Sequence, residues 1–443
     1  MCKMILQLKN WKIYIKKNIK SLVWFELYYL MFYGFFRDIL KFPGIIAYVL
    51  DLINIILLIY IVFSKKCLKV PKGYYRIAFV SIIFFICITF VGLHIVGGSI
   101  VLYVWGFRNV FRFYLFFLVC SLFLDIDDIK QIATVFKNIF IINFFVCLLE
   151  LLMGYSGDFI GGIFGTQQGC NGYLNLFMVI ITAIYVTEYL ENKLNVMKIS
   201  CFLLSTFFIM AISELKVFLF ELPIIIFLAL INAKFSFRKI TIIMVGVIGV
   251  SLGISMLGYF FEDSGLSFFT SEAIYKYMGD SGYTNSGDLS RLNAVPQIYN
   301  KFLKGSLSNS LFGIGLGNAG YSSAFSFFNS RFFMIYNALH YHWFTDAYIY
   351  IELGIIGLII FEGFFFMIFI FSKKILNYFT KKRKYIDKEV RIMVQVSGII
   401  SVLCIFLSIY NSSLSMDSAY MVYFFLAVPV IADNKLRKHF IEK

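Results

Sequence analysis

Charged residues are scarce in this chain, at 15% of its 443 residues. Water-soluble domains carry roughly 25% charged residues, so the shortage excludes an ordinary soluble protein. The eight cysteines include no Cys-x-x-Cys pair, and the chain has no zinc-ligand spacing, Walker loop or Gly-x-Ser-x-Gly elbow. Its sequence therefore carries no signature of a zinc site, a nucleotide-binding loop, a serine hydrolase or a disulfide framework.

Apolar residues are correspondingly abundant, at 60% of the chain with a mean hydropathy of +0.83. Their runs of about 20 residues are long enough to cross a membrane as helices, whereas strands apolar on both faces could not line a polar barrel lumen. We therefore predict an all-α integral membrane protein with about 12 transmembrane helices and one large extracytoplasmic loop. The predicted spans are residues 21–41, 44–63, 77–97, 100–124, 137–153, 173–190, 199–213, 216–231, 240–261, 344–371, 391–411 and 417–432.

The net charge of +15 is unevenly distributed along the chain. Lysine and arginine concentrate before residue 21, in 65–76, in 373–391 and in the C-terminal tail, whereas the segment 261–343 balances acids against bases. This is the positive-inside pattern, and it predicts a multi-pass protein with both termini in the cytoplasm. The charge thus indicates topology and contact with anionic membrane lipid, and we expect no nucleic-acid partner.

Three regions follow from this layout. Residues 1–260 are predicted to form an N-terminal transmembrane bundle of about nine spans, and residues 344–443 to form the C-terminal spans and a basic cytoplasmic tail. Between them, 261–343 is polar and rich in glycine, serine and asparagine. This stretch is predicted to be an extracytoplasmic loop with short amphipathic helices.

Cationic side chains within predicted spans need a reason, because an ion in the bilayer is costly. Arg108 and Arg112 lie four residues apart and so share one helix face. They could grip a phosphate or diphosphate bidentately, or they could reach the interface or pair with a carboxylate such as Glu150. Lys216, close behind Glu214, could hold an anionic head group or form an internal salt bridge.

Two polar clusters are predicted to face outward. The glycine-rich turn 161–172 contains Gln167 and Asn171, whose amides could bind sugar hydroxyls, although its glycines could equally serve tight turning. His340, His342 and Asp346 close the long loop and are candidates for a general base or for donors to phosphate or sugar oxygen. Two histidines and one carboxylate are a thin ligand set, and we expect no metal.

Several motifs occur in a characteristic order along residues 100–371. They are the turn 161–172, the Ser290-Arg291 step, the glycine turn 312–320, the run 345–348 and the segment 352–358. With the single large loop, they resemble the bacterial O-antigen and capsular polysaccharide polymerase (Wzy) and O-antigen ligase superfamily. The resemblance implies an integral-membrane glycosyltransferase that uses undecaprenyl-diphosphate-linked oligosaccharide and needs no cofactor, nucleotide sugar or metal.

The resemblance also implies roles for particular residues. Arg291 matches the loop arginine that handles the diphosphate, and Lys216 falls where the family commonly has an arginine. Asp346 followed by Tyr348 fits the polymerases better than the ligases, whose loop usually ends in His-Asn. We therefore expect polymerisation of lipid-linked repeat units on the outer face of a bacterial cytoplasmic (inner) membrane, with a chain-length regulator protein as a candidate partner.

In this hypothesis the cations Arg108, Arg112, Arg291 and Lys216 stabilise the departing diphosphate. Asp346, His340 or His342 deprotonates the acceptor hydroxyl. An O-antigen ligase, with a different acceptor, and a polysaccharide flippase or transporter are the alternatives.

Overall fold

The computed structural model describes residues 2–64, 73–233, 236–261, 287–322, 325–381 and 387–441, and within these ranges the regular structure is helical, with no strand. The first nine helices are α1 (Cys2–Asp38), α2 (Val49–Ser64), α3 (Tyr74–Val96), α4 (Ile100–Phe123), α5 (Ile126–Leu152), α6 (Asn171–Leu190), α7 (Val196–Ile212), α8 (Phe218–Asn232) and α9 (Phe237–Phe260). Three short helices follow, α10 (Ala294–Ile298), α11 (Leu307–Phe312) and α12 (Arg331–Tyr336). The chain then forms α13 (Thr345–Lys381), α14 (Lys388–Tyr410), α15 (Ala419–Leu426) and α16 (Val428–Ile441).

Eight segments of the described residues are long and apolar enough to cross a membrane as helices, so the prediction of a multi-pass helical membrane protein is confirmed. They are Gly44–Val62, α3, α4, α5, α6, α9, Thr345–Tyr378 and α14. The other four predicted spans are less regular. Helices α7 and α8 are shorter, 21–41 belongs mainly to the long α1, and 417–432 is divided between α15 and α16.

The helices divide into a buried centre and an apolar periphery. In the most apolar windows of α6 and α14, 89% and 78% of the residues are buried, and all eight residues of α15 are buried. The windows of Gly44–Val62, α3 and α9 are only 22–28% buried. Their exposed faces are rich in isoleucine, valine and phenylalanine, as expected for helices that face lipid.

The glycine turn 312–320 docks on a break in α13. Gly354 interrupts that helix with φ +63°, and a Cβ there would collide with the backbone of Leu311. On the other side of the turn, Gly317 has φ +84°, and a Cβ would overlap the carbonyl oxygen of Leu102 in α4. Glycine is needed at both points, because backbone passes backbone with no room for a side chain. The turn therefore packs tightly between α4 and α13.

The second glycine turn, 161–172, docks on α1 and α5. The amide of Thr166 donates to Asp38 Oδ2 at 2.9 Å, and the amides of Gly161 and Gly162 donate to Glu150 Oε2 at 3.2 and 2.7 Å. Glu150, which the sequence offered as a partner for the arginines of α4, therefore holds this turn instead. The turn brings the amides of these two consecutive glycines onto one oxygen of the Glu150 carboxylate.

Several lysine–aspartate ion pairs lie at one end of the bundle. Lys20 contacts Asp125 and Asp128, each at 2.7 Å, and Lys130 contacts Asp387 at 2.6 Å. All of these residues lie near the starts of α5 and α14 or on the α1 segment beside them. The two glycine turns lie at the opposite end, where α1 and α5 finish and where α4, α6 and α13 begin.

The described part of the predicted loop, 287–322 and 325–343, consists of short helical segments including α10 to α12. Its first part, 262–286, lies outside the described residues. Residues Ala294, Ile298 and Leu303 are buried, whereas Leu292 and Tyr299 are 55% and 40% exposed. The segment therefore buries one face and presents an apolar outer face.

Candidate functional site

A cavity of about 820 Å³ opens at the end of the bundle where the two glycine turns dock. It is bounded by α1, α4, the residues before α2, the start of α6, the start of α13, the loop 414–417 and the loop residues Tyr321, Ser322 and Phe325. Ligand sites of proteins typically measure 300–1,000 Å³, so this cavity is large enough for a substantial polar head group.

Three arginines line the cavity: Arg37 from α1 and Arg108 and Arg112 from α4. The two arginines that the sequence places on one helix face therefore both line this cavity, and α1 adds a third guanidinium. Each of the three is held by one carboxylate. Guanidinium groups have five N–H donors, so a single carboxylate leaves each with further donors.

Arg108 is fixed from two sides. Its Nε donates to Asp51 Oδ1 at 2.9 Å, its Nη2 contacts the other oxygen of the same carboxylate, and its Nη1 donates to Asn109 Oδ1 at 2.8 Å. The guanidinium carbon also lies 4.9 Å from the centre of the Trp105 ring. Bidentate pairing and ring stacking orient the group rigidly.

Arg112 is the most buried of the three arginines. Its Nη1 lies 2.6 Å from Asp417 Oδ1, and the Tyr33 hydroxyl donates to Asp417 Oδ2 at a longer 3.5 Å. Its Nε is buried and has no hydrogen-bond partner among the described residues. The Arg112 guanidinium therefore has spare donor capacity beside the cavity.

Arg37 pairs with the residue next to it. Its Nε and Nη2 donate to the two oxygens of Asp38 at 2.7 and 3.0 Å. Because Asp38 also accepts the Thr166 amide, the turn 161–172 fixes this pair in place. Gln167 of the same turn lines the cavity.

Aromatic rings form another wall of the cavity. Trp105 stacks on Phe328 with ring centres 4.2 Å apart and donates from Nε1 to the Tyr321 carbonyl at 3.0 Å. Tyr48 and Phe325 meet with ring centres 5.7 Å apart. The site thus combines cationic donors with flat apolar surfaces, which suits a ligand that is anionic at one end and ring-shaped at the other.

His342 lines the cavity, whereas His340 does not. Burial, with a smaller effect from neighbouring His340, lowers the pKa of His342 to about 4, so its ring is neutral near pH 7. His342 Nδ1 is buried without a partner among the described residues. His340 adopts φ +52°, stacks on Trp343 at 3.9 Å and places its Nδ1 3.9 Å from Asp288.

Four other predicted site residues lie outside the cavity lining. Asp346 is buried at the start of α13 and accepts the Ala347 amide at 2.6 Å. Lys216 pairs with Glu214 at 2.9 Å, as the salt-bridge alternative predicted. Asn171 donates to Asp158 at 2.6 Å and to the Ser213 carbonyl at 3.2 Å.

Arg291 is the fourth, and it binds the end of a helix. Its guanidinium lies 4.3 Å from the centre of the Tyr410 ring, and its Nη1 donates to the Tyr410 carbonyl at 2.5 Å. A cation at this position is favourable because the last carbonyls of α14 carry partial negative charge. Residue 410 directly precedes the loop that carries Asp417.

Sequence reasoning missed several groups that line or support the cavity. Arg37, Tyr33 and Asp417 line it, and Asp51 orients Arg108. Asp51 and Asp417 lie near predicted span ends, where acids are common and carry little information. Charge balance is the sequence feature that could have identified these two aspartates. Two arginines in one span require acidic partners, and the same span contains none.

No family model, curated protein or solved structure matches this chain. No group of three or more histidine, cysteine, aspartate or glutamate residues in the described part of the chain could hold a metal ion. What the fold and the cavity define is a multi-pass helical membrane protein with an arginine-lined polar cavity at one end.

Proposed function

We propose that this chain is a membrane glycosyltransferase that polymerises undecaprenyl-diphosphate-linked oligosaccharide repeat units into O-antigen or capsular polysaccharide. The observation that carries the proposal is the convergence of Arg37, Arg108 and Arg112 on one cavity within apolar helices. Ionisable side chains within the apolar helices of a membrane protein mark functional sites. A diphosphate attached to a membrane-embedded isoprenoid is a ligand whose negative charge would lie close to the ends of the apolar helices, where these arginines are.

The cationic wall suits the leaving group. When a glycosidic bond to diphosphate breaks, negative charge develops on the departing oxygen, and preorganised donors that meet this charge usually give the largest catalytic effect. Arginine is favoured because its planar fork binds phosphate oxygens in pairs. The geometry favours Arg37, Arg108 and Arg112 for this role over Arg291 and Lys216, which engage other groups.

The aromatic wall and the amide of Gln167 suit the glycan. In the proposed reaction, a hydroxyl at the non-reducing end of a new unit attacks the anomeric carbon of the growing chain. Of the three acid–base candidates Asp346, His340 and His342, His342 is the one that lines the cavity, as a proton acceptor or as a hydrogen-bonding group to sugar. We place the cavity at the outer membrane face of a bacterial cytoplasmic membrane, because the basic segments favour the opposite end for the cytoplasm.

Deletion of the gene, followed by gel analysis of surface glycan, tests the proposal. A polymerase mutant retains single repeat units and loses the ladder, which is the series of gel bands from chains of increasing length. Units that accumulate on the inner leaflet would support a flippase instead, and complete polymer left on its lipid carrier would support a ligase.

Complementation with point variants ties the activity to the cavity. We expect Arg108→Ala to lower ladder synthesis by about 100-fold or more, the usual effect of removing one charge-stabilising donor. The matched control is Arg331→Ala, which removes an exposed arginine that does not line the cavity. A ladder of normal length and intensity from Arg108→Ala would contradict the proposal.

A further inference from the structure

Asp417 is the one carboxylate among the described residues that line the cavity. It lies on the loop 411–418, which is hydrogen-bonded to itself and to α13. Ser418 donates to the Ser413 carbonyl at 2.7 Å, and Thr345 donates to the Asn411 carbonyl at 2.9 Å. The carboxylate is therefore presented to the cavity on a well-supported loop.

The two other carboxylates that pair with cavity arginines are more firmly engaged. Asp51 holds Arg108 through both oxygens, and Asp38 holds Arg37 while also accepting the Thr166 amide. Neither lines the cavity. Asp417 has one short contact, with Arg112 at 2.6 Å, and one long one, with Tyr33 at 3.5 Å.

We propose that Asp417 is the proton acceptor of the glycosyl transfer and that binding of the lipid-linked donor releases it for this role. The inference rests on the proposed function. In the empty cavity, the carboxylate occupies the anion position on Arg112. A phosphate oxygen of the donor takes over that position, assisted by the unused Nε of Arg112.

Donor binding and proton acceptance are thereby linked. Losing a paired cation increases the affinity of a carboxylate for a proton. Asp417 then accepts the proton of the acceptor hydroxyl while the hydroxyl oxygen forms a bond to the anomeric carbon. The bond from that carbon to the diphosphate oxygen breaks, and its electron pair leaves with undecaprenyl diphosphate, whose added charge the arginines stabilise.

His342 lines the same cavity but has no contact that would link it to the donor. No carboxylate or guanidinium of the described residues pairs with its ring, which packs against the rings of Tyr321 and Phe333 with centres 4.9 and 5.9 Å away. We assign it hydrogen bonding to sugar rather than proton acceptance.

Two measurements on the full-length protein test the assignment. The first is the affinity of the purified protein in lipid nanodiscs for undecaprenyl diphosphate. Asp417→Asn removes the competing charge, so we expect about tenfold tighter binding, within the usual range of coupling between sites. The second is ladder synthesis in cells, which we expect to fall by about 100-fold or more, as for loss of a general base.

Asp417→Ala provides an independent readout. Sodium formate added to membranes of this variant supplies a carboxylate. We expect it to raise glycan synthesis by the variant at least about tenfold. Asp127→Asn is the matched control, because its 86% exposed carboxylate lies at the start of α5, at the end of the bundle opposite the cavity, and is expected to change neither quantity.

Each result has a defined meaning. Weaker or unchanged diphosphate binding by Asp417→Asn shows that the carboxylate does not compete with the donor and overturns the inference. Normal synthesis by that variant, or no formate rescue of Asp417→Ala, overturns the proton-acceptor role. If the wild-type protein fails to bind undecaprenyl diphosphate, the proposed function itself fails, and this inference fails with it.

Discussion

At the scale of single residues, the cavity is built from charges that neutralise one another until a ligand arrives. Three guanidinium groups face it, and three carboxylates hold them. An unpaired buried ion would be costly, and a paired one keeps its orientation at a much lower cost. The arrangement therefore keeps three guanidinium groups at the cavity, each with its charge balanced by a carboxylate.

Substitution of Arg291 tests whether this residue contacts the diphosphate or acts indirectly through the loop 411–418. Because it binds the Tyr410 carbonyl just before the loop 411–418, we expect Arg291→Ala to displace the loop that carries Asp417. Ladder synthesis should fall about tenfold, while undecaprenyl diphosphate affinity should stay the same or rise, because a displaced Asp417 competes less with the donor for Arg112. Synthesis assays and binding to nanodisc-embedded protein check this. An affinity loss as large as the synthesis loss would instead place Arg291 on the diphosphate, as the family resemblance implies.

His342 gives the protein a predictable response to acid. Its pKa is about 4 in the folded chain, against about 6.5 when unfolded, so folding favours the neutral ring. The corresponding stability is fully present above pH 6.5 and is lost as pH falls towards 4, by about 2 kcal/mol after allowance for partial exposure. Thermal unfolding in detergent should show a flatter pH dependence for His342→Phe. The same substitution at exposed His94 should leave the curve unchanged.

The sequence predicted part of this site, and the reason for its limits is physical. The four-residue spacing identified Arg108 and Arg112, because a helix face depends only on local geometry. Their partners Asp51 and Asp417 come from other segments, and no local periodicity connects them. Arg37 stands at a span end, where a cation is common and therefore uninformative.

At the scale of structural elements, the glycine turns set where the arginines stand. Turn 312–320 holds α4 beside the break in α13, and turn 161–172 holds the end of α1. From the sequence alone, the turn 161–172 could bind sugar or could simply turn tightly. The structure shows tight packing at both turns, with Gln167 left facing the cavity.

A pair of matched substitutions isolates the packing role. Gly317 and Gly154 have similar φ values of +84° and +89°, but a Cβ on Gly317 would overlap the Leu102 carbonyl, whereas one on Gly154 meets nothing within 4 Å. Gly154→Ala should cost only the backbone strain, about 1 kcal/mol. Gly317→Ala should cost at least about 3 kcal/mol, because overpacking is added. Unfolding in detergent measures both losses of stability. Equal losses would argue against tight packing of the turn 312–320 between α4 and α13.

The helical spans show the same division between local and tertiary information. Runs of about 20 apolar residues predicted the long helices, because hydropathy and length are local properties. Gly354, within α13, divides an apolar run at a point that depends on the neighbouring backbone of Leu311. A hydropathy window cannot detect such breaks.

At the scale of the whole molecule, the chain has two chemically different ends. One end has the ion pairs of Lys20 and Lys130 near the basic segments, and the other has the arginine cavity under the segment 287–343. The charge bias predicts that the first end faces the cytoplasm. The proposed reaction requires the cavity end to face outward, so the orientation is a necessary condition for the function.

Thiol labelling in spheroplasts tests this orientation directly. In a variant without native cysteines, Asn300→Cys places a thiol on an exposed position beside the cavity end, and Lys388→Cys places one on an exposed position at the opposite end. A membrane-impermeant maleimide should label the first at once and the second only after permeabilisation, because both positions are exposed and differ only in side. The reverse pattern would put the cavity in the cytoplasm, where it could not receive repeat units presented outside. Such a result would remove the proposed polymerase while leaving the helical fold intact.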